Sequence, residues 1–259
     1  MKLREIFRFE FVYQARSIRT WLYFAVLFAA AFQLRRGVVN SPFAIAQETI
    51  LTSLLWVVIA PAVAGAAAAR DAQTRMHPLV YTTPISKADY LGGRFLAAYV
   101  LNALILLAVP LGMLATLLLP GMGPEVVNPF RPAVYLSSYG VLALPTAFIF
   151  TAVQFSLAAL KGRAIVSYLG SVLVFVTAGI PAALMVNVFQ MPVVGQLLDP
   201  TCRINVVIVM DNLLTPLEKN TLLIALDSLI LANRLLWIGV ALAILVFTHV
   251  RFRLGHPAA

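Results

Sequence analysis

Three histidines, one cysteine and ten carboxylates are all that this 259-residue chain offers for acid–base, nucleophilic or metal chemistry. Their spacing suits none of these. His77, His249 and His256 make no HExxH pair, so nothing recommends a zinc site built from them. No GxSxG elbow is present, and no GxxxxGK[ST] loop that could cradle nucleotide phosphates. Cys202 stands alone and permits no internal disulfide. The densest polar stretch is "RDAQTRMHPLVYTTPISKADYLGGR", Arg70 to Arg94, with four basic residues, two acids, a histidine and two prolines. Apolar Met76, Leu79, Val80 and Tyr81 are interleaved with these charges. A solvated loop would leave those apolar residues unexplained, whereas apolar anchors among charges suit a surface that docks on another protein.

The elements that must hold this stretch are apolar. The chain is 61% hydrophobic and 11% charged, with a mean hydropathy of +0.93, against about 25% charged in soluble domains. A crossing needs roughly 20 apolar residues, and six runs come near that length: residues 21–34, 46–69, 95–119, 133–160, 164–186 and 230–250. This predicts an all-α membrane protein of six transmembrane helices in one domain, 1–259. Acids are nearly absent from the runs, which argues against a carboxylate proton relay. The net charge of +9 would suggest nucleic acid in a soluble protein. Here basic residues flanking membrane spans explain it, and no nucleic-acid partner is expected.

With the N-terminus taken as cytoplasmic, thirteen of the 19 basic residues fall on that side, which favours both termini inside. Arg35 and Arg36 run against the bias and must then snorkel into the opposite headgroups. Residues 1–20 followed by "WLYFAVLFAAAF" resemble a signal peptide, but the basic leader is long and further spans follow. Lys2 to Arg19 reads instead as an amphipathic helix in the headgroup plane. Leu3, Ile6, Phe7, Phe9, Phe11, Tyr13 and Ile18 take one face, and Lys2, Arg4, Glu5, Arg8, Arg16 and Arg19 the other. Glu10 interrupts the apolar face. Either the helix tilts it into water, or the face packs on protein and Glu10 meets a basic partner there.

Other local signals are sharper. Ser86 followed by Asp89 predicts an N-cap and a helix from about Lys87. Thr83 before Pro84 is expected to be extended. "LTPLEKNT" predicts a short helix with Thr215 as cap, Pro216 in its first turn and Glu218 closing a capping box. Pro61, Pro110 and Pro145 fall inside spans; they are candidate hinges, or the ordinary prolines of membrane helices. Ala60, Ala64 and Ala68 offer a small-residue face for close helix packing. Arg234, about a turn inside the last span, is expected to snorkel outward with Asp227 or Asp199 as partner. A place in a translocation path is the alternative.

The stretch "HPLVYTTPISKADYLGGRF", with "LLDP", "TPLEKNT", "NRLLW" and the N-terminal "RFEFVYQARSIRTWLYFAVLF", resembles the ABC-2-type transporter permeases. Its nearest likeness is the permease unit of long permease and zinc-aminopeptidase fusion proteins. The resemblance covers essentially the whole chain, and its motifs are specific together though each is weak alone. It implies an interfacial helix at 1–20, a cytoplasmic coupling helix within 70–94 between spans 2 and 3, and short outer helices within 187–229. It implies ATPase docking through Arg70, Asp71, Arg75, Met76, His77, Leu79, Tyr81, Thr82, Thr83, Pro84, Ser86 and Asp89. Glu10, Arg94 and Arg234 are then structural polar groups. The chain binds no cofactor of its own; ATP and Mg belong to cytoplasmic ABC ATPase subunits, its partners along with a second permease unit and lipid. The expected location is the bacterial cytoplasmic (inner) membrane. The long relatives carry a second permease half and a peptidase domain; this chain spans one six-span unit, so peptidase activity is not carried over. A non-transporting membrane anchor or mechanical transducer driven by the same ATPase is the competing reading. An intramembrane enzyme lacks any nucleophile with a partner.

Overall fold

The computed structural model describes residues 2–33, 40–74, 85–118 and 128–252. Among these residues the chain is helical and contains no strand. Helix α1, Lys2–Ala15, stops four residues short of the expected Arg19. Its last carbonyls are taken up locally: Ser17 N–H and the Thr20 hydroxyl both donate to the Gln14 carbonyl, and the Trp21 indole N–H donates to that of Ala15. Those bonds satisfy acceptors that a helix end leaves open. They also start α2, Ile18–Gln33, directly.

Among the described residues, five helices are long and apolar enough to cross a membrane. They are α3 (Pro42–Gln73), α4 (Lys87–Leu118), α5 (Pro132–Lys161), α6 (Val166–Asn187) and α10 (Ser228–Arg251). The chain is thus a multi-pass, all-α membrane protein. The first of the six expected spans corresponds to α2, whose 16 residues rise about 24 Å, less than a hydrocarbon core of about 30 Å. Between α6 and α10 lie α7 (Pro192–Leu198), α8 (Ile204–Leu213) and α9 (Pro216–Thr221). All three fall within 187–229, where short helices are expected, and α8 is apolar. The capping box on α9 forms as the sequence implies, with the Thr215 hydroxyl accepting from Glu218 N–H and the Glu218 carboxylate accepting from Thr215 N–H.

Helices α3 and α5 lie at the centre: α3 packs on α4, α5 and α6, and α5 packs on α4, α6 and α10. Lipid is as apolar as leucine, so close approach and polar links, rather than burial from water, hold such helices together. Ala60, Ala64 and Ala68 of α3 are buried. A Cβ on Gly65 would meet the Ala164 carbonyl at 2.5 Å, and one on Gly112 would meet the Phe28 carbonyl at 2.6 Å. Asn102 of α4 donates to Thr151 of α5 at 3.0 Å, and Gln154 of α5 donates to Ser171 of α6 at 2.9 Å.

The prolines leave a legible trace. π-helical turns at Ser138–Ala143 and Phe175–Gly179 lie just ahead of Pro145 and Pro181. The α-helical run of α4 is interrupted at Leu107, three residues ahead of Pro110. A proline ring removes a donor and crowds the carbonyl four residues back, so the ladder shifts register or opens. In α3 the carbonyl so released by Pro61 is that of Val57. The Ser171 hydroxyl donates to it at 3.0 Å, the kind of repair from a neighbouring helix that makes proline tolerable in lipid.

Candidate functional site

The Arg70–Arg94 stretch begins in the last turn of α3 and ends in the second turn of α4. Ser86 caps α4, its hydroxyl accepting from Asp89 N–H at 3.0 Å and donating to the Asp89 carboxylate at 2.6 Å. Ten of the residues between, 75–84, lie outside those described. These include Arg75, Met76, His77, Leu79, Tyr81, Thr82, Thr83 and Pro84. The two stems are described in full.

Helix α1 lies against the first turns of α4 because of the glycine pair in "YLGGR". A Cβ on Gly93 would come within 2.9 Å of the Ile6 side chain and the Leu3 carbonyl. Only glycine admits α1 this closely. The approach turns Glu10 and Gln14 inward and leaves Phe9 and Tyr13 exposed. Of the two alternatives for Glu10, the packed one holds, but the apolar face is not buried as a whole: the inward side carries Glu10 and Gln14, and the Phe9 and Tyr13 rings stack on each other outside.

Glu10 and Gln14 meet charges from both stems. Arg70 of α3 pairs with the Glu10 carboxylate. Gln14 donates to the other Glu10 oxygen at 2.7 Å. Arg94 of α4 donates to the Asp71 carboxylate and, at 2.7 Å, to the Ala67 carbonyl; its Nη1 lies 3.5 Å from Glu10. The Tyr90 hydroxyl donates to Asp71 at 3.0 Å. The Arg70 guanidinium also covers the Tyr13 ring, 4.1 Å from its centre. Two guanidinium groups and two carboxylates thus close a nearly dry, electrically neutral cluster. Burial pushes the Glu10 carboxyl above its ordinary value, and Arg94, Gln14 and Arg70 oppose that rise. Such a network is expensive to bury, and removing one member strands its partner. Lys87 adds a bond to the Val250 carbonyl at 3.3 Å, and the Tyr90 ring stacks on Phe252, tying the end of α10 to the same place.

Chemically, the cluster can hold but not cut. It joins α1, the end of α3 and the start of α4 through buried ion pairs. Among the described residues no group of three or more histidine, cysteine or acidic side chains could hold a metal ion.

A second buried polar cluster lies between α10 and the segment before it. Arg234 is buried and does not reach outward as expected. It donates to the Thr146 hydroxyl at 3.0 Å, the Pro200 carbonyl at 2.9 Å and Asn233. Asp199 and Asp227 do other work: Asp199 accepts from Thr201 and Ile204, and Asp227 caps α10 through Leu229 and Ile230. Asn233 donates to the carbonyls of Gln196, Leu197 and Asp199, fastening α7 to α10. Burial raises the Cys202 thiol to about 11, which leaves it unreactive at neutral pH.

Sequence reasoning missed Gln14, Tyr90, Thr146 and Asn233. Two had a findable signal: Gln14 follows Glu10, and Tyr90 precedes Arg94, by one helical turn. Thr146 and Asn233 are joined to their partners only through tertiary packing. Compared with the models of known protein families and with curated proteins, the chain matches none.

Proposed function

We propose that this chain is the membrane subunit of an ATP-driven ABC-2-type exporter, with six spans and both termini cytoplasmic. In this reading α1 is the interfacial helix, Arg70 to Arg94 carries the coupling helix that docks on a separate ABC ATPase, and α7 to α9 are outer helices. Two such units, identical or similar, face each other over two ATPase subunits in a bacterial inner membrane. ATP-driven closure of the ATPase pushes on the coupling segment and rocks the helices tied to it.

The observation that carries the reading is the ionic cluster at the stems. A loop exposed only to solvent needs no buried Glu10–Arg70 and Asp71–Arg94 pairs beneath it; a loop that transmits force needs a rigid root. The motif resemblance supplies the family. Of the scattered polar groups Asn102, Gln154 and Asn187, the first two are buried within one subunit, bonded to Thr151 and Ser171, and only Asn187, at the end of α6, is exposed, so they form no continuous polar path. That supports a lipid-like or protein-borne cargo over a small polar solute. It also keeps open the transducer reading, in which the same ATPase contact acts on an outer partner and nothing is carried.

The test is co-expression with the ATPase subunits encoded beside the gene. Stoichiometric co-purification, and ATP hydrolysis that rises on reconstitution in liposomes, are expected. Absence of any neighbouring phosphate-loop ATPase, or failure to co-purify with it, overturns the assignment. Vesicles that hydrolyse ATP with no redistribution of labelled lipid or protein cargo favour the transducer.

A further inference from the structure

A cleft of about 1130 Å³ opens between the α1–α2 turn and one face of α3. Arg8, Arg16 and Arg19 line it, along with Arg70. The guanidinium groups of the first three have no ion pair or hydrogen bond among the described residues. One carboxylate, Glu5, shares the lining. Three cations are therefore gathered around one hollow with a single carboxylate, Glu5, beside them, and none of the three is paired among the described residues.

The lining changes character with depth. Along α3, Arg70 gives way to Ala66 and Ala62, the last about 12 Å further in at 1.5 Å per residue. On the other wall Tyr23 of α2 lies beyond Arg19, and Tyr13 stands near the cations. Exposed Ile18, Trp21 and Leu22 flank Arg19 in the chain, and tryptophan is enriched at the level where headgroups meet acyl chains. A basic rim over an apolar floor, at that level, has the polarity of an anionic lipid turned inside out. Basic pockets of this kind at helix boundaries take phosphate headgroups.

We infer that this cleft binds the phosphate of an anionic phospholipid, with Arg8, Arg16 and Arg19 on the phosphate and an acyl chain along Ala62 and Ala66. Arg70 contributes partly, since Glu10 already engages it. The inference rests on the membrane character of the chain alone and does not need the transporter reading. Bound there, the lipid fastens α1 and α2 to α3 beside the ionic cluster.

The full chain in detergent, titrated with phosphatidylglycerol or phosphatidylcholine and read by native mass spectrometry, tests it. One phosphatidylglycerol is expected to be retained well ahead of phosphatidylcholine. Arg8→Gln with Arg19→Gln should weaken that first site by about thirtyfold. Neither exposed guanidinium has a partner, so the fold should not change, and an unshifted melting curve checks this. Ala66→Trp should also abolish the preference by filling the cleft at constant charge. Lys161→Gln with Arg163→Gln, at the same end of the molecule beside Ala72, should leave it intact. A preference that falls as far with the Lys161 and Arg163 pair as with Arg8 and Arg19 is diffuse surface attraction and overturns the site. So does the absence of any preference. Glycerol 3-phosphate competing as well as the lipid would transfer the site to a soluble phosphate ester and overturn the lipid assignment.

Discussion

Arg94, two turns into α4, donates to Asp71 in the last turn of α3, so that one buried bond closes the base of the segment between them. Both residues are buried. Arg94→Ala leaves Asp71 buried with only the Tyr90 hydroxyl, and should destabilise the fold by about 3–5 kcal/mol. Thermal unfolding in detergent measures this. A melting point unchanged from the parent would mean that water reaches the cluster freely.

Glu10→Gln keeps the shape of the side chain and removes its charge. Arg70 and Arg94 then face Asp71 alone, and the cluster carries an uncompensated positive charge. Folded yield and melting temperature should both fall. In a double-mutant cycle, Arg70→Gln should restore part of the loss, because it removes the surplus charge. Additive losses would show that the two groups do not interact.

Ser171→Ala removes the donor that serves the Val57 carbonyl and the acceptor that serves the Gln154 amide. A loss of about 1–3 kcal/mol is expected for polar groups left unmet in the interior. With Pro61→Ala in place the helix can recover its own donor to Val57, so the same substitution should cost measurably less. Equal losses in the two backgrounds would separate Ser171 from the proline.

Docking of the coupling segment is tested by Arg75→Glu combined with Leu79→Ala and Tyr81→Ala. Buried apolar anchors at interfaces contribute about 2 kcal/mol or more each. Two such losses weaken ATPase binding by roughly a thousandfold. The membrane helices should stay folded. Co-purification of the variant with its ATPase at parental stoichiometry would remove the docking idea.

Topology follows from single cysteines placed at Thr215 and Ser86, both positions at exposed helix caps. The native Cys202 is buried with its thiol raised to about 11, so it should stay silent in the labelling reaction. An impermeant maleimide added to intact cells should reach Thr215→Cys and miss Ser86→Cys. The reverse pattern inverts the orientation.

Some of this was fixed locally. Apolar run length alone set α3 to α6 and α10, because a helix that must satisfy its own backbone in lipid cannot be anything else over 20 such residues. Ser86 and Thr215 marked their helices because a cap is a bond between residues three apart. Glu10 announced itself as a charge on an apolar stripe, yet nothing in the sequence told water from protein on that side. That was decided by Gly92 and Gly93, whose missing side chains let α1 descend on α4 and bring Glu10 to Arg70, sixty residues away. Arg234 was misread for the same reason. Its position a turn inside α10 is compatible with snorkelling, and only the fold of α7 and α5 around it supplied the Pro200 carbonyl and Thr146 hydroxyl that hold it inside. Spacing along one helix reports bonds within a turn or two. Which charges share a dry pocket depends on where other helices come to rest, and that is settled by packing over the whole chain.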